Sequence, residues 1–426
     1  MNFPPEPDRW TIELANDQRT EAVAAFGFTE RQARFLVNVL LHSGVFVERQ
    51  YCNFAGIVHG QKSTDFMNGL VERRYATPIA TGPLHRGRMF HVHYKPLWAA
   101  IGEPDSRFRK PAAQGRMIER VMLLDAVFDE RDFIWLGPAM DKRRYFMRYL
   151  GDRLAVCDFP HLAFGDGAAK IVRSFPDKLP IGIQPHSHPH VLIYLVTKPS
   201  PMDFRLFLLR HSAVLQVLVR WTVRLLFPRQ LRKAMRAYQH AAREHLAAPV
   251  HPSTVEELQW FFRERQRVGE GAPAPTDQRY VRDASAFRAP QYRALYRHWL
   301  EEGDNALWIA RSNQLADGLQ RDEGCVECVE LSRHIFTSPP WSTSRDLNGR
   351  TTRGTTSENE VVPCVALAAT KPHAVKSREG SSQAVRLTSS LSTASVQSAR
   401  ALCLMGGAFC RPLLAPVSAI RAETMA

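Results

Sequence analysis

No apolar run in this 426-residue chain approaches the roughly 20 residues that cross a bilayer; the longest, such as Val191 to Val196, suits a single strand. A membrane-spanning protein is therefore not expected. The first 17 residues carry Pro, Asp and Glu and lack a basic start followed by an apolar stretch, so they do not read as a signal peptide. The seven cysteines (Cys52, Cys157, Cys325, Cys328, Cys364, Cys403 and Cys410) are odd in number and irregular in spacing, which argues against a disulfide framework and for a reducing, cytoplasmic setting. No Gly-rich phosphate loop, nucleophile elbow or His-Glu-x-x-His is present, and no cofactor is expected. Coiled-coil heptads and internal repeats are missing too.

Two sparse metal-type spacings do not mature into sites. Cys325-x-x-Cys328 with His334 is half a zinc pattern whose second half would have to come from a low-complexity tail. His186, His188 and His190 alternate in a loop without a neighbouring Cys or carboxylate as fourth ligand.

What the chain does have is positive charge: 56 Lys and Arg against 42 Asp and Glu. Such a balance favours polyanionic partners, nucleic acid first. The excess is not in the first 100 residues, where eleven basic side chains face nine acidic ones. It is sharpest from Phe204 to Arg243, with nine cations (Arg205, Arg210, Arg220, Arg224, Arg229, Arg232, Lys233, Arg236 and Arg243) and no acid. On a helix over 229–246, Arg229, Arg232, Lys233, Arg236 and Arg243 share one face, opposite Leu231, Met235, Tyr238 and Ala242. That face reads as a grip on phosphate backbone or as an ordinary solvated surface, ahead of a membrane-surface helix, for which the apolar side lacks Trp and Phe.

The stretch from about Thr29 to Gly102 reads as a winged helix-turn-helix. Thr29 and Gln32 can form a capping box, and Ala33, Leu36, Val37, Leu40 and Leu41 then fall on one helical face before Gly44. Val45-Phe46-Val47 is a β-prone step, Glu48 to Phe54 a short helix, and Gln61 to Arg74 a third helix that buries Phe66, Leu70 and Val71. Recognition helices put their first residues against base edges and phosphates, which selects Gln61, Lys62, Ser63 and Thr64, with Arg73 at the far end. Two strands then flank Gly82 to Arg88, a tip carrying Arg86 and Arg88 and shaped like a wing. The alternative is a small helical domain whose hairpin packs on a neighbouring protein.

Beyond a linker at 103–114, strands and helices alternate over 115–250, which predicts an α/β domain. Pro176-Asp177 ahead of one strand and Lys198 after the next are placed as in a metal-dependent nuclease. However, Val196 stands where a metal-binding carboxylate is needed, so an inactive nuclease-type fold is expected over an active one using Asp177 and Lys198. Two further helices, the first with a Ser253/Glu256 capping box, form an appended piece over 251–336. Residues 337–426, rich in Ser, Thr and small residues, read as a disordered tail, and 1–17 as a polar leader.

Phe28-Thr29-Glu30-Arg31-Gln32, Leu70-Val71-Glu72-Arg73-Arg74 and Pro176-Asp177 together give a chain that, from Phe26 to about Leu246, resembles the replication-relaxation proteins of plasmids and other mobile elements. The resemblance implies a winged helix followed by an inactive nuclease-type domain. It also implies an accessory or regulatory role in plasmid replication or transfer. The expectation is a mixed α/β (α+β) protein that binds double-stranded DNA without catalysis, with a homodimer open because palindromic sites favour one. The competing expectations are the nuclease and an assembly adaptor whose winged helix binds protein.

Overall fold

The computed structural model describes residues 9–79, 88–165, 171–184 and 189–331. Arg86, His186, His188, His334 and the tail at 337–426 lie outside the described residues.

The first element of the described residues is helix α1 (Arg9–Ala24), which starts inside the expected polar leader. Gly27 at φ +82° turns it into α2 (Glu30–His42). That helix starts where its capping box dictates: Thr29 Oγ1 accepts from the Gln32 N–H, and Gln32 Oε1 accepts from the Thr29 N–H at 3.0 Å. Strand β1 (Val45–Val47), α3 (Glu48–Ala55), α4 (Gln61–Glu72), and strands β2 (Ala76–Ile79) and β3 (Met89–Val92) follow. The three strands form an antiparallel sheet in the order β1-β3-β2, with Val47 and Ile79 flanking Met89. Phe35, Leu36 and Leu40 of α2 pack with Phe46, Phe66 and Leu70 to make this region's core.

A short helix α5 (Lys95–Ala100) leads to α6 (Gln114–Asp129), which buries residues all round. A helix without a wet face must be covered on both sides. One side of α6 meets Val45, Val47 and Met89 of the first sheet; the other meets Trp135, Val191, Ile193 and Leu226 of a second. Polar clasps hold the two parts together. Arg49 donates to Asp125 at 2.8 Å, Gln50 Nε2 donates to the Val121 carbonyl at 2.9 Å, and Arg19 grips Asp141 with two bonds of 2.8 and 3.0 Å.

The second sheet is built from β4 (Ile134–Leu136), then α7 (Ala139–Leu150), a separate hairpin β5 (His161–Phe164) and β6 (Ile171–Ser174), and β7 (Ile181–Ile183). Next come β8 (His190–Leu195), α8 (Met202–Val217), β9 (Trp221–Phe227) and α9 (Met235–Ala242). With β10 (Gly324–Glu330) from near the end of the described chain, the sheet order is β10-β9-β8-β7-β4: β4, β7 and β8 are antiparallel, whereas β8, β9 and β10 run parallel. Every residue of β8 is buried, as a central strand covered on both faces requires. The chain is thus a mixed α/β structure, as expected.

Helices α10 (Pro252–Gly269), α11 (Gln278–Ala286), α12 (Pro290–Glu302) and α13 (Asn305–Arg311) pack around Phe261, Phe262, Leu295 and Trp299, whereas α14 (Gln314–Gln320) sends Leu315 and Leu319 into the core of the second sheet. Two expectations here need correction. His251, not Ser253, caps α10, its Nδ1 accepting from the Ser253 N–H at 3.3 Å, because Pro252 already occupies the first helical turn. The segment also does not end in helices: β10 (Gly324–Glu330) returns as the fifth strand, parallel to β9. Among the described residues no helix is long and apolar enough to cross a membrane.

Candidate nucleic-acid interface

The start of α4 is set by Ser63. Its hydroxyl accepts from the Gly60 N–H at 3.1 Å and donates to Glu48 of α3 at 2.8 Å, joining the two helices. Ser63 is fully buried in doing so, which corrects its expected place on the DNA-facing surface. Gln61 and Lys62 are exposed and Thr64 is half-buried, so three of the four first-turn candidates face solvent. Helical spacing places Asp65, Asn68 and Glu72 on that same exposed face, with Gln61 donating to Asp65 at 2.6 Å. With one cation and two acids, the face carries no net positive charge to attract a polyanion.

Beside it runs an open groove of about 960 Å³ between α2, α3 and α4, lined by Arg31, Arg34, Lys62 and Arg73 together with Asp65 and Glu30, the latter paired with Arg34 at 2.8 Å. Gly69 keeps its wall low, since a side chain there would meet open space. Arg73 is partly committed: it donates to the Phe26 carbonyl at 3.0 Å and lies over the Phe28 ring. Arg88 is exposed at the foot of β3.

The segment expected as one helix over 229–246 is three pieces: a 3-10 turn (Arg229–Ala234), α9, and a π-helical turn (Arg243–Ala247). Its burial is nonetheless two-sided. Leu231, Tyr238, Ala241, Ala242 and Leu246 are buried, and Tyr238 donates to the Lys198 carbonyl at 2.9 Å. Arg229, Arg232, Lys233, Arg236 and Arg243 are all exposed. Arg232 pairs with Glu330 at 3.3 Å, and the other four make no ion pair among the described residues. Three cations upstream turn inward instead. Buried Arg205 pairs with Glu244, Arg210 with Glu301 at 2.8 Å, and Arg224 with both Glu130 and Glu327 at 2.7 and 2.8 Å.

The residues placed as nuclease-like do not assemble as such a site requires. Lys198 is exposed and paired with Asp203 at 2.7 Å, and Val196 is wholly buried. Asp177 instead lines a cavity of about 10 Å³ with Lys142 and His211, room for about one water. Its Oδ2 is buried without a hydrogen-bond partner. The Lys142 ammonium donates to the Leu179 carbonyl at 2.6 Å, and burial brings its pKa down to about 7. Burial likewise lowers His211 to about 4.

The metal-type spacings resolve similarly. His190 opens β8, buried, with Nε2 2.7 Å from the Tyr145 hydroxyl. Cys325 and Cys328 are three apart on β10, which sends their side chains to opposite faces of the sheet. Among the described residues no three His, Cys, Asp or Glu side chains gather to hold a metal ion.

No family model, curated protein or solved structure matches this chain. The likeness to replication-relaxation proteins therefore rests on its own residues.

Proposed function

We propose that the protein is a non-catalytic binder of double-stranded DNA in which α2 to β3 act as a winged helix-turn-helix. What carries this reading is the order helix, strand, helix, helix, hairpin with the strand order β1-β3-β2, together with the solvent-facing first turn of α4. Gln61, Lys62 and Thr64 read bases, Arg88 and the wing tip with Arg86 contact backbone, and Arg229, Arg232, Lys233, Arg236 and Arg243 add sequence-independent affinity. The β4-β7-β8 meander followed by the β8-α8-β9 crossover supports a nuclease-type fold for the second half, with Asp177 at the approach to β7. Exposed Lys198, held by Asp203, and buried Val196 argue that it does not cut. By its resemblance the chain serves replication or transfer of a mobile element as an accessory or regulatory factor, with a homodimer as the form suited to a palindromic site.

Anisotropy titrations of a labelled duplex against salt test the division of labour. Changing Arg229, Lys233, Arg236 and Arg243 to Gln should lower the salt slope by about 3 to 4 units if each neutralises one phosphate, and weaken all sequences alike. An unchanged slope removes this surface from the interface. Plasmid cleavage with Mg²⁺ that disappears in Asp177→Ala would replace the proposal with the nuclease.

A further inference from the structure

A second concentration of positive charge lies where β3 meets the α/β half. Phe108, in the 3-10 turn Arg107–Arg109 of the expected linker, is tightly seated. Its carbonyl is 3.0 Å from His91 Nε2 of β3, and a Cβ on Gly44 would stand 2.6 Å from that same oxygen. Two cations lie over its ring: the Arg120 guanidinium from α6 at 4.9 Å from the centroid, and the Lys178 ammonium at 4.8 Å from the loop entering β7. Arg107 and Arg173 stand near enough to act on Lys178 as further positive charges, against Glu103, and Arg120 has Glu119 near it. Burial and these cations bring the Lys178 pKa down to about 8.

Arg120 and Lys178 are half-buried, while Arg107 and Arg173 are exposed, Arg173 over the Phe164 ring at 5.3 Å from its centroid. Arg205, Arg210 and Arg224 each have a carboxylate partner, whereas Arg107, Arg120, Arg173 and Lys178 have no ion-pair partner among the described residues. Arg120 Nη1 is buried without any hydrogen-bond partner. Lys178 is held in the left-handed region at φ 53°, as is Phe175 at φ 47°, conformations that persist only where surrounding packing imposes them. Like charges gathered with little acid repel one another, and an anion seated among them removes that repulsion while supplying acceptors to the idle N–H groups.

We propose that the cationic cluster around Phe108 is a phosphate-binding site. Guanidinium forks and an ammonium converging from the linker, α6, β6 and the loop before β7 match the oxygens of a phosphate group, carried either by a DNA backbone or by a free phosphate-bearing ligand. The site is separate from α4 and from the 229–243 surface, and it stands whether or not the DNA reading does. If the backbone is the source, the linker between the two halves is itself a contact.

The test uses the full chain and the variant Arg107→Gln/Arg173→Gln/Lys178→Gln, which leaves the more deeply packed Arg120 in place. One arm compares thermal unfolding in inorganic phosphate with chloride at equal ionic strength; the other measures the salt dependence of binding to a labelled duplex. Phosphate should raise the wild-type melting temperature and lose that effect in the variant. If backbone is the source, the variant's duplex salt slope should also fall by about 1 to 2 units. A phosphate effect without duplex binding would assign a free ligand to the site and count against the DNA reading alone. Lys178→Arg should keep the phosphate response, which separates lost charge from disturbed folding. Equal responses of wild type and triple variant in both arms would overturn the proposal.

Discussion

Lys142→Met removes an ammonium that the fold holds in the dry interior, 2% exposed, with the Leu179 carbonyl as acceptor and Asp177 as the nearby negative charge. Its pKa falls from 10.5 to about 7 in the folded chain. The unfolded chain keeps this proton until about pH 10.5, so its burial opposes folding in full below pH 7 and progressively less as pH rises toward 10.5. At about 1.4 kcal/mol per pKa unit the penalty is at most about 5 kcal/mol, and losing the bond to Leu179 returns about 1–3 kcal/mol of that. The pH slope is therefore a better readout than the sign of the change at pH 7. Urea unfolding at pH 7, 8 and 9 should show wild type gaining up to about 1.4 kcal/mol per pH unit more than Lys142→Met. Lys178, also lowered, is present in both proteins, and its repulsion of the Lys142 ammonium is part of the difference that the comparison reads. Parallel pH profiles would refute the account of Lys142 as a buried, largely uncompensated base.

Ser63→Ala should destabilise by about 1–2 kcal/mol, read as a shift in urea midpoint at constant slope, because it strips the α4 cap and the bond to Glu48 together. Burial holds His42 at about 3 and His211 at about 4, below the ordinary 6.5, so the unfolded chain takes up protons first on acidification. Stability should fall from about pH 6.5 toward pH 4.5 by up to about 3 kcal/mol for each, and His42→Gln/His211→Gln should flatten that limb in acid denaturation; an acid limb unaltered in the double variant would show that other groups set it.

Local chemistry was the readable part of the sequence. The Thr29/Gln32 box, the apolar face from Ala33 to Leu41 and the buried run of β8 all depend on neighbours within a few residues, and the structure has them where spacing puts them. Partners far along the chain were not readable. Arg205, Arg210 and Arg224 read in sequence as part of a basic run, whereas Glu244, Glu301, Glu130 and Glu327, distant along the chain, neutralise them in the fold. Lys142 sits in Asp-Lys-Arg-Arg, which reads as a wet helix face, and its burial comes from packing against the loop at Asp177 to Leu179. Strand β10 pairs with β9 across about a hundred intervening residues, and its Cys-Val-Glu-Cys-Val-Glu run has a period of three, which does not announce a strand. For Ser63 the ambiguity is local: a hydroxyl in a helix's first turn can cap the helix or meet a ligand, and only the position of Glu48 decides between them.

The claim that this chain reads duplex DNA through α4 is tested most directly by selecting bound sequences from a random duplex pool with the full protein. The account predicts an enriched motif that changes when Gln61, Lys62 and Thr64 are replaced by Ala, with the shared backbone affinity retained. No enrichment, together with no duplex binding at low salt, would contradict it.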